Sequence, residues 1–245
     1  MRPLIGITTA WSVETWGDPV EKGGYYYVEK HYVEAVVRAG GLPLLITPEL
    51  ISGDLNQLLA SLFSSVHGLL FSGGGEARNS STEQLPSLYE QQPARSSFEA
   101  KLIEEAWARK IPVIGLCRGH QMIAEVLGGE ILEFNVPGHQ QDITALKPWH
   151  LVTLNRNSKI FSILGIERWP VNSFHKQVIG KIPAGFRVTM RSDEGLIEGM
   201  EAIDHPYFMG FQFHPESLAL TDRTALRIFE ELIANSTEYM KGLYF

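Results

Sequence analysis

The stretch Ile111-Pro112-Val113-Ile114-Gly115-Leu116-Cys117-Arg118-Gly119-His120-Gln121-Met122-Ile123-Ala124-Glu125-Val126-Leu127 decides how this chain is read. Its first six residues form an apolar run that reads as a buried strand, and its last eight carry a helix-like pattern. Between them, Cys117 occupies a small-x-nucleophile-x-small frame. A strand that passes through such a turn into a helix has the pattern of a nucleophile elbow. The two glycines permit a tight turn that lifts the side chain above the sheet edge. The helix then directs its N-terminal N–H groups and positive dipole end at the sulfur, which favours thiolate. The competing reading is a small buried residue at a strand end.

Outward from this stretch, strand and helix signals alternate. Pro3 to Thr8 reads as a strand. Tyr25 to Ala39 reads as a helix, with Val28, Tyr32, Ala35, Val36 and Ala39 at helical spacing and Gly40-Gly41 as its stop. Leu42 to Thr47 is a strand, Leu55 to Phe63 a short helix, and Val66 to Phe71 a strand opening into Ser72-Gly73-Gly74-Gly75. Ser96 to Arg109 is an amphipathic helix. This order predicts a doubly wound α/β fold with a mostly parallel sheet and helices on both faces. The second half changes character. Glu130 to Phe134, His150 to Leu154, Trp169 to Asn172, Phe186 to Arg191, Leu196 to Met200 and Phe208 to Phe213 are short strand candidates, read as antiparallel additions. Thr221 to Ala234 is a closing helix. Asn79 to Pro93 is polar and reads as an ordered surface loop. No linker or repeat interrupts the 245 residues, so one domain over 1–245 is expected.

Bulk properties narrow the function. One cysteine rules out an internal disulfide and a multi-cysteine metal site. The apolar run in Met1 to Thr8 is too short for a signal peptide, and no 18-residue apolar stretch exists, so neither secretion nor a membrane span is expected. A cytoplasmic setting, where a free thiol stays reduced, follows as an expectation. The formal net charge of −7, without a dense Lys/Arg cluster, argues against nucleic acid and fits an enzyme of small molecules. Oligomeric state stays open, with a homodimer among the options. Tyr25, Tyr26 and Trp16 are candidates for an interface or a substrate rim.

A thiol nucleophile needs a base, and the base needs an orienter. Of eight histidines, His214 stands apart. It follows the apolar run Phe208-Met209-Gly210-Phe211-Gln212-Phe213 and leads into Pro215-Glu216. Open α/β sheets place their sites at the C-terminal ends of strands. In extended chain, residues 214 and 216 project to one side, and Pro215 stiffens the pair. Glu216 can then accept a hydrogen bond from the His214 ring and hold its tautomer. The triplet reads equally as a His-Pro turn. The glycine run 73–75 lacks both the Lys-Ser/Thr of a P-loop and the spacing of a dinucleotide fingerprint. It can offer bare N–H groups to an oxyanion, or be a flexible turn.

Gly115-Leu116-Cys117-Arg118-Gly119-His120-Gln121, taken with His214-Pro215-Glu216, resembles the class I (triad) glutamine amidotransferases along nearly the whole chain. Val171-Asn172-Ser173-Phe174-His175-Lys176-Gln177 and Asp193-Glu194-Gly195-Leu196-Ile197-Glu198 are similar to the peptidase C26 branch of γ-glutamyl hydrolases, typified by γ-glutamyl-γ-aminobutyrate hydrolase. The resemblance implies a flavodoxin-like fold, Cys117 as nucleophile, His214 as general base and acid, and Glu216 as its orienter. It implies an oxyanion hole from the Arg118 N–H and one N–H of Gly74 or Gly75. Gln121, Asn172, Ser173 and His175 are expected at the substrate, a small γ-glutamyl amide, with no metal or organic cofactor. Three departures from the branch concern Ser72 before the glycines, Ala77-Arg78-Asn79 after Glu76, and Ala124 in the helix. Pro86 and Tyr89 match a later part of that loop. The loop flanks the substrate in the family, so the leaving amine stays undetermined. Two other functions stay open: a glutaminase subunit supplying ammonia to a separate synthetase, and a non-catalytic binding or regulatory protein on the same fold.

Overall fold

Strand β1 (Leu4–Thr8) pairs in parallel with β4 (Leu42–Ile46) on one side and with β5 (Gly68–Phe71) on the other. Next come β6 (Val113–Leu116) and β13 (Phe208–Phe211), also parallel, so five strands run in one direction. This is a computed structural model, and it describes residues 1–12, 25–48, 55–74, 92–133 and 138–244. Side chains alternate across the parallel strands, so Leu70 enters one core while Leu69 and Phe71 enter the other. On the first face, Ile5, Ile7, Leu70 and Ile114 pack under α1 (Lys30–Arg38) and α7 (Arg223–Tyr244), through residues such as Ala35, Val36, Ile228 and Phe229. On the second, Leu69, Phe71 and Val113 pack under α2 (Leu55–Phe63), α3 (Pro93–Arg109) and α4 (Arg118–Val126), through Phe63, Phe98, Leu102 and Ile123. Each such side chain contributes about 1.5–3 kcal/mol by leaving water. Two apolar faces therefore force helices onto both sides of the sheet.

Beyond β13 the sheet turns antiparallel. β12 (Ile197–Ala202), β11 (Phe186–Ser192), β8 (His150–Leu154) and β9 (Arg168–Val171) follow in that order, and β10 (Gln177–Lys181) joins β12 to β7 (Glu130–Glu133). A separate two-stranded sheet pairs β2 (Ala10–Ser12) with β3 (Tyr25–Tyr27). Two short helices complete the described elements: α5 (Lys159–Leu164) and α6 (Pro215–Leu218). Among the described residues, no helix is long and apolar enough to cross a membrane.

Several boundaries differ from the sequence expectation. Tyr25 to Tyr27 is a strand, and the helix begins only at Lys30. Three successive aromatics lack a helical stripe and suit a strand pairing, here Tyr26 opposite Trp11. Pro93 opens α3 instead of closing a loop, because its missing N–H costs nothing at a first helical position. The closing helix runs on to Tyr244. Helix α5 was not anticipated, although Ser158 caps it by accepting the Phe161 N–H at 3.1 Å and Gly165 ends it in the left-handed region. Trp16 and most of the Asn79 to Pro93 segment lie outside the described residues.

Candidate active site

Cys117 joins β6 to α4 with φ 51° and ψ −104°. A non-glycine residue held there costs on the order of 1–3 kcal/mol, which the surrounding structure must offset. Its N–H donates to Phe211 O at 2.8 Å, and its carbonyl accepts the Gln121 N–H at 3.2 Å. The flanking glycine has a different reason from the one expected. A Cβ on Gly119 would sit 2.2 Å from the Phe71 carbonyl oxygen, so Gly119 lets α4 lie against β5. The left-handed turn itself is made by Cys117.

His214 reaches the same place from β13, the strand beside β6. The register Phe211 opposite Leu116 brings both strand ends to one edge. His214 Nδ1 lies 2.6 Å from Glu216 Oε1, and the ring borders the same cleft as Cys117, near enough for the sulfur to act on it. Pro215 starts helix α6 here, so residues 214 and 216 meet across a helical first turn, not along extended chain as the sequence suggested. Burial alone would lower the His214 pKa. The Glu216 carboxylate and the Cys117 sulfur outweigh it, and the net shift is well upward. The Asn172 amide clamps the backbone of His214, accepting its N–H at 2.8 Å and donating to its carbonyl at 3.0 Å.

The loop after β5 closes the third side. Gly73 has room for no side chain: a Cβ would stand 3.1 Å from His214 Cε1 and 3.3 Å from Cys117 Cβ. Its N–H donates to Tyr32 Oη at 2.9 Å, and Tyr32 Oη also lies 3.5 Å from His214 Nδ1. Gly74 takes φ 71°. The carbonyls of Ser72, Gly73 and Gly74 all accept from the Arg95 guanidinium, at 2.8, 3.2 and 2.9 Å. Arg95 Nε in turn donates to Glu99 at 2.9 Å, and Glu99 also pairs with the guanidinium of Arg118, the residue after Cys117. A buried Arg95–Glu99–Arg118 chain thus ties the glycine loop to the elbow. Gly75 lies outside the described residues.

These elements border a cleft of about 610 Å³, within the range of small-molecule sites. Gly74, Cys117, Arg118, Gln121 and His214 line it. Gln121 donates to Gln177 O at 2.8 Å and to Gln212 Oε1 at 3.0 Å, and Gln212 Nε2 approaches Cys117 Sγ at 3.8 Å. The 172–175 segment departs from expectation. Asn172 sits behind His214, and Ser173 and His175 turn away from the cleft. Their neighbours Phe174 and Lys176 line it instead, since alternate residues of an extended segment face opposite ways. Tyr27 and Glu29 line the cleft as well.

Tyr32, Arg95, Glu99 and Gln212 escaped the sequence reading. Tyr32 passed as core, and Arg95 fell before the assumed helix start. A signal was present: Arg95 and Glu99 stand four apart on the face that also carries Phe98 and Leu102, where charges must be paired.

A thiol at a strained strand–helix turn, beside an imidazole held by a carboxylate, is an arrangement able to form a thiolate and store its proton. Comparison with known proteins agrees with a chemistry of this kind. The Peptidase C26 family profile matches residues 3–216. The Schizosaccharomyces pombe protein named "Putative glutamine amidotransferase PB2B2.05" is 31% identical over 227 residues, spanning 89% of this chain and 86% of its own length. Gamma-glutamyl-gamma-aminobutyrate hydrolase PuuD of Escherichia coli K12 is 28% identical over 211 residues, 77% of this chain and 78% of its own. A solved Thermoplasma acidophilum structure titled "putative gmp synthase subunit a protein" shares the fold with a TM-score of 0.68 at 18% identity, covering 100% and 99% of the two chains. The chain belongs to the Peptidase C26 family within the glutamine amidotransferase-like proteins, and it is a hydrolase of carbon–nitrogen bonds.

Proposed function

We propose that this enzyme hydrolyses γ-glutamyl amides through a γ-glutamyl thioester on Cys117. The Cys117 thiolate attacks the γ-carbonyl, and the oxyanion is held by the N–H groups of Gly74 and Arg118. His214, oriented by Glu216, gives its proton to the leaving amine as the C–N bond breaks. It then takes a proton from water, which attacks the thioester, releases glutamate and restores the thiol. The observation that carries this reading is the strained Cys117 on the same cleft as a His214 that is itself 2.6 Å from Glu216. Arg118 is the first residue of α4, so its N–H has no intrahelical partner and faces the cleft end of the helix dipole.

The cleft also suits the α-amino acid end of such a substrate. Lys176 and Glu29 line it, one cation and one carboxylate to match an α-carboxylate and an α-ammonium group. The test is glutamate release from glutamine, γ-glutamyl-γ-aminobutyrate, other γ-glutamyl amines and γ-glutamyl peptides, with Cys117→Ala alongside. Release from a γ-glutamyl amine or peptide that depends on Cys117 supports the proposal. Activity on glutamine alone points to an ammonia-supplying subunit, and activity retained in Cys117→Ala sinks the thioester.

A further inference from the structure

Away from the cleft, Glu198 of β12 is fully buried, and neither of its carboxylate oxygens has a hydrogen-bond partner. Three imidazoles face Oε1: His139 Nδ1 at 3.4 Å, His175 Nε2 at 3.5 Å and His150 Nε2 at 3.7 Å. These separations exceed those of N–H···O hydrogen bonds, roughly 2.7–3.2 Å. Two of them fall on the ligand-to-ligand edge of a tetrahedron built on metal–ligand bonds of about 2.0–2.2 Å, roughly 3.3–3.6 Å, and the His150 separation lies just beyond it. His139 Nδ1 and His175 Nε2 lie 3.2 Å apart.

The outer nitrogen of each ring identifies what its inner nitrogen offers. His150 Nδ1 faces the Leu151 carbonyl at 3.2 Å, and His175 Nδ1 faces the Gln177 carbonyl at 3.2 Å. A carbonyl only accepts, so each Nδ1 carries the proton and each Nε2 presents a lone pair. His139 Nε2 stands 3.6 Å from the Glu194 carboxylate, and its Nδ1 also lies 3.3 Å from Ser173 Oγ, so this ring presents Nδ1 to the cluster when its proton sits on Nε2. The Nε2 lone pairs of His150 and His175 and the Glu198 carboxylate therefore converge on one region, where among the described residues the carboxylate has no hydrogen-bond donor. In a low-dielectric interior that arrangement is costly unless a cation stands there. An imidazole held from behind by a carbonyl, as His150 is, has the usual outer support of a metal-binding histidine.

We propose that His139 Nδ1, His150 Nε2 and Glu198 Oε1 bind one divalent transition-metal ion. Two imidazole nitrogens and a carboxylate oxygen in a buried setting fit zinc or a similar first-row ion. The ion would pin the segment at residues 138–150 to β12. That segment is already zipped to residues 172–175 through His175 N–H to His139 O at 2.9 Å and Gln141 N–H to Ser173 O at 3.0 Å. It supplies Ile143 and Ala145 to the cleft wall.

The test uses Cys117→Ala as the parent, so that no thiol competes for metal, and does not depend on the catalytic proposal. Chelator-treated parent is titrated with Co²⁺, read by visible absorption, and then with Zn²⁺ in competition. One Co²⁺ per chain with bands of tetrahedral intensity, displaced by Zn²⁺, is expected. Glu198→Gln and His150→Ala should each weaken binding by more than about 100-fold. His150 sits at the rim of the cluster, so its variant decides the matter if Glu198→Gln does not fold. No saturable binding by the parent, or binding unchanged in His150→Ala, overturns the proposal.

Discussion

Glu99 and Glu198 are both fully buried carboxylates, one beneath the parallel half of the sheet and one in the antiparallel half. Glu99 accepts from Thr8 Oγ1 at 2.7 Å, from Arg95 Nε and from Arg118. Burial by itself would raise its pKa, but Arg118 and then Arg95 reverse the sign and hold it below the ordinary value. The ion-pair partners of Glu198 among the described residues are imidazoles, at distances too long for hydrogen bonds. The difference is one of self-sufficiency. The cluster under the glycine loop is neutralised by the chain's own arginines, so that loop is positioned by folding alone. The cluster behind the cleft wall has no such arginines, and the proposed cation would supply the missing charge.

Four variants break or sharpen this contrast. The largest effect belongs to Cys117→Ala, which should reduce turnover by about 10⁴-fold or more while the unfolding curve stays close to that of the parent. Such a result separates chemistry from the scaffold around it. Glu99→Gln comes next. It strands two buried guanidinium groups and should cost about 3–5 kcal/mol in urea unfolding at pH 7. Because the folded pKa of Glu99 is depressed, its contribution is present above the unfolded value of about 4.5. It is lost as pH falls through the folded value, so the gap between parent and variant should close in acid. A gap that persists at low pH would contradict the ion-pair account.

Glu216→Gln should lower kcat/KM by about 100-fold. It should also move the His214 titration, followed by NMR, down from its raised position. With the pKa raised, the stabilising His214–Glu216 pair is complete below the unfolded pKa of about 6.5 and fades as pH rises through the folded value. An unmoved His214 titration would show that Glu216 acts only as packing. The smallest effect is expected of Lys176→Met: about a tenfold rise in KM for γ-glutamyl substrates with kcat nearly kept, the loss of one charged hydrogen bond. A fall in kcat with KM unchanged would remove Lys176 from substrate binding.

Much of this was legible in the chain itself. The strand–Cys117–helix run and the alternation of apolar segments required a doubly wound sheet, because both faces of β5 and β6 are apolar and must be covered. Glu216 was legible as a partner of His214 through spacing alone, although a helical turn rather than extended chain makes the contact. Asn172, Ser173 and His175 were legible as a motif but not as to which way each one faces. Period-two alternation reveals which residues share a side without saying which side meets the cleft.

What the sequence determined by itself was local: the elbow, the alternation of strands and helices, and the residue types required for thiol chemistry. Only the tertiary structure decided which distant segments meet. Gln212 and Cys117, 95 residues apart, become neighbours because β13 pairs with β6 in one register. Arg95 reaches the glycine loop only because α3 packs beneath it. His139, His150 and Glu198 converge from a loop, a strand and a different strand. No spacing rule encodes such meetings. Parallel and crossover pairings join residues through the geometry of the whole sheet, while sequence periodicity reports only each element's own faces.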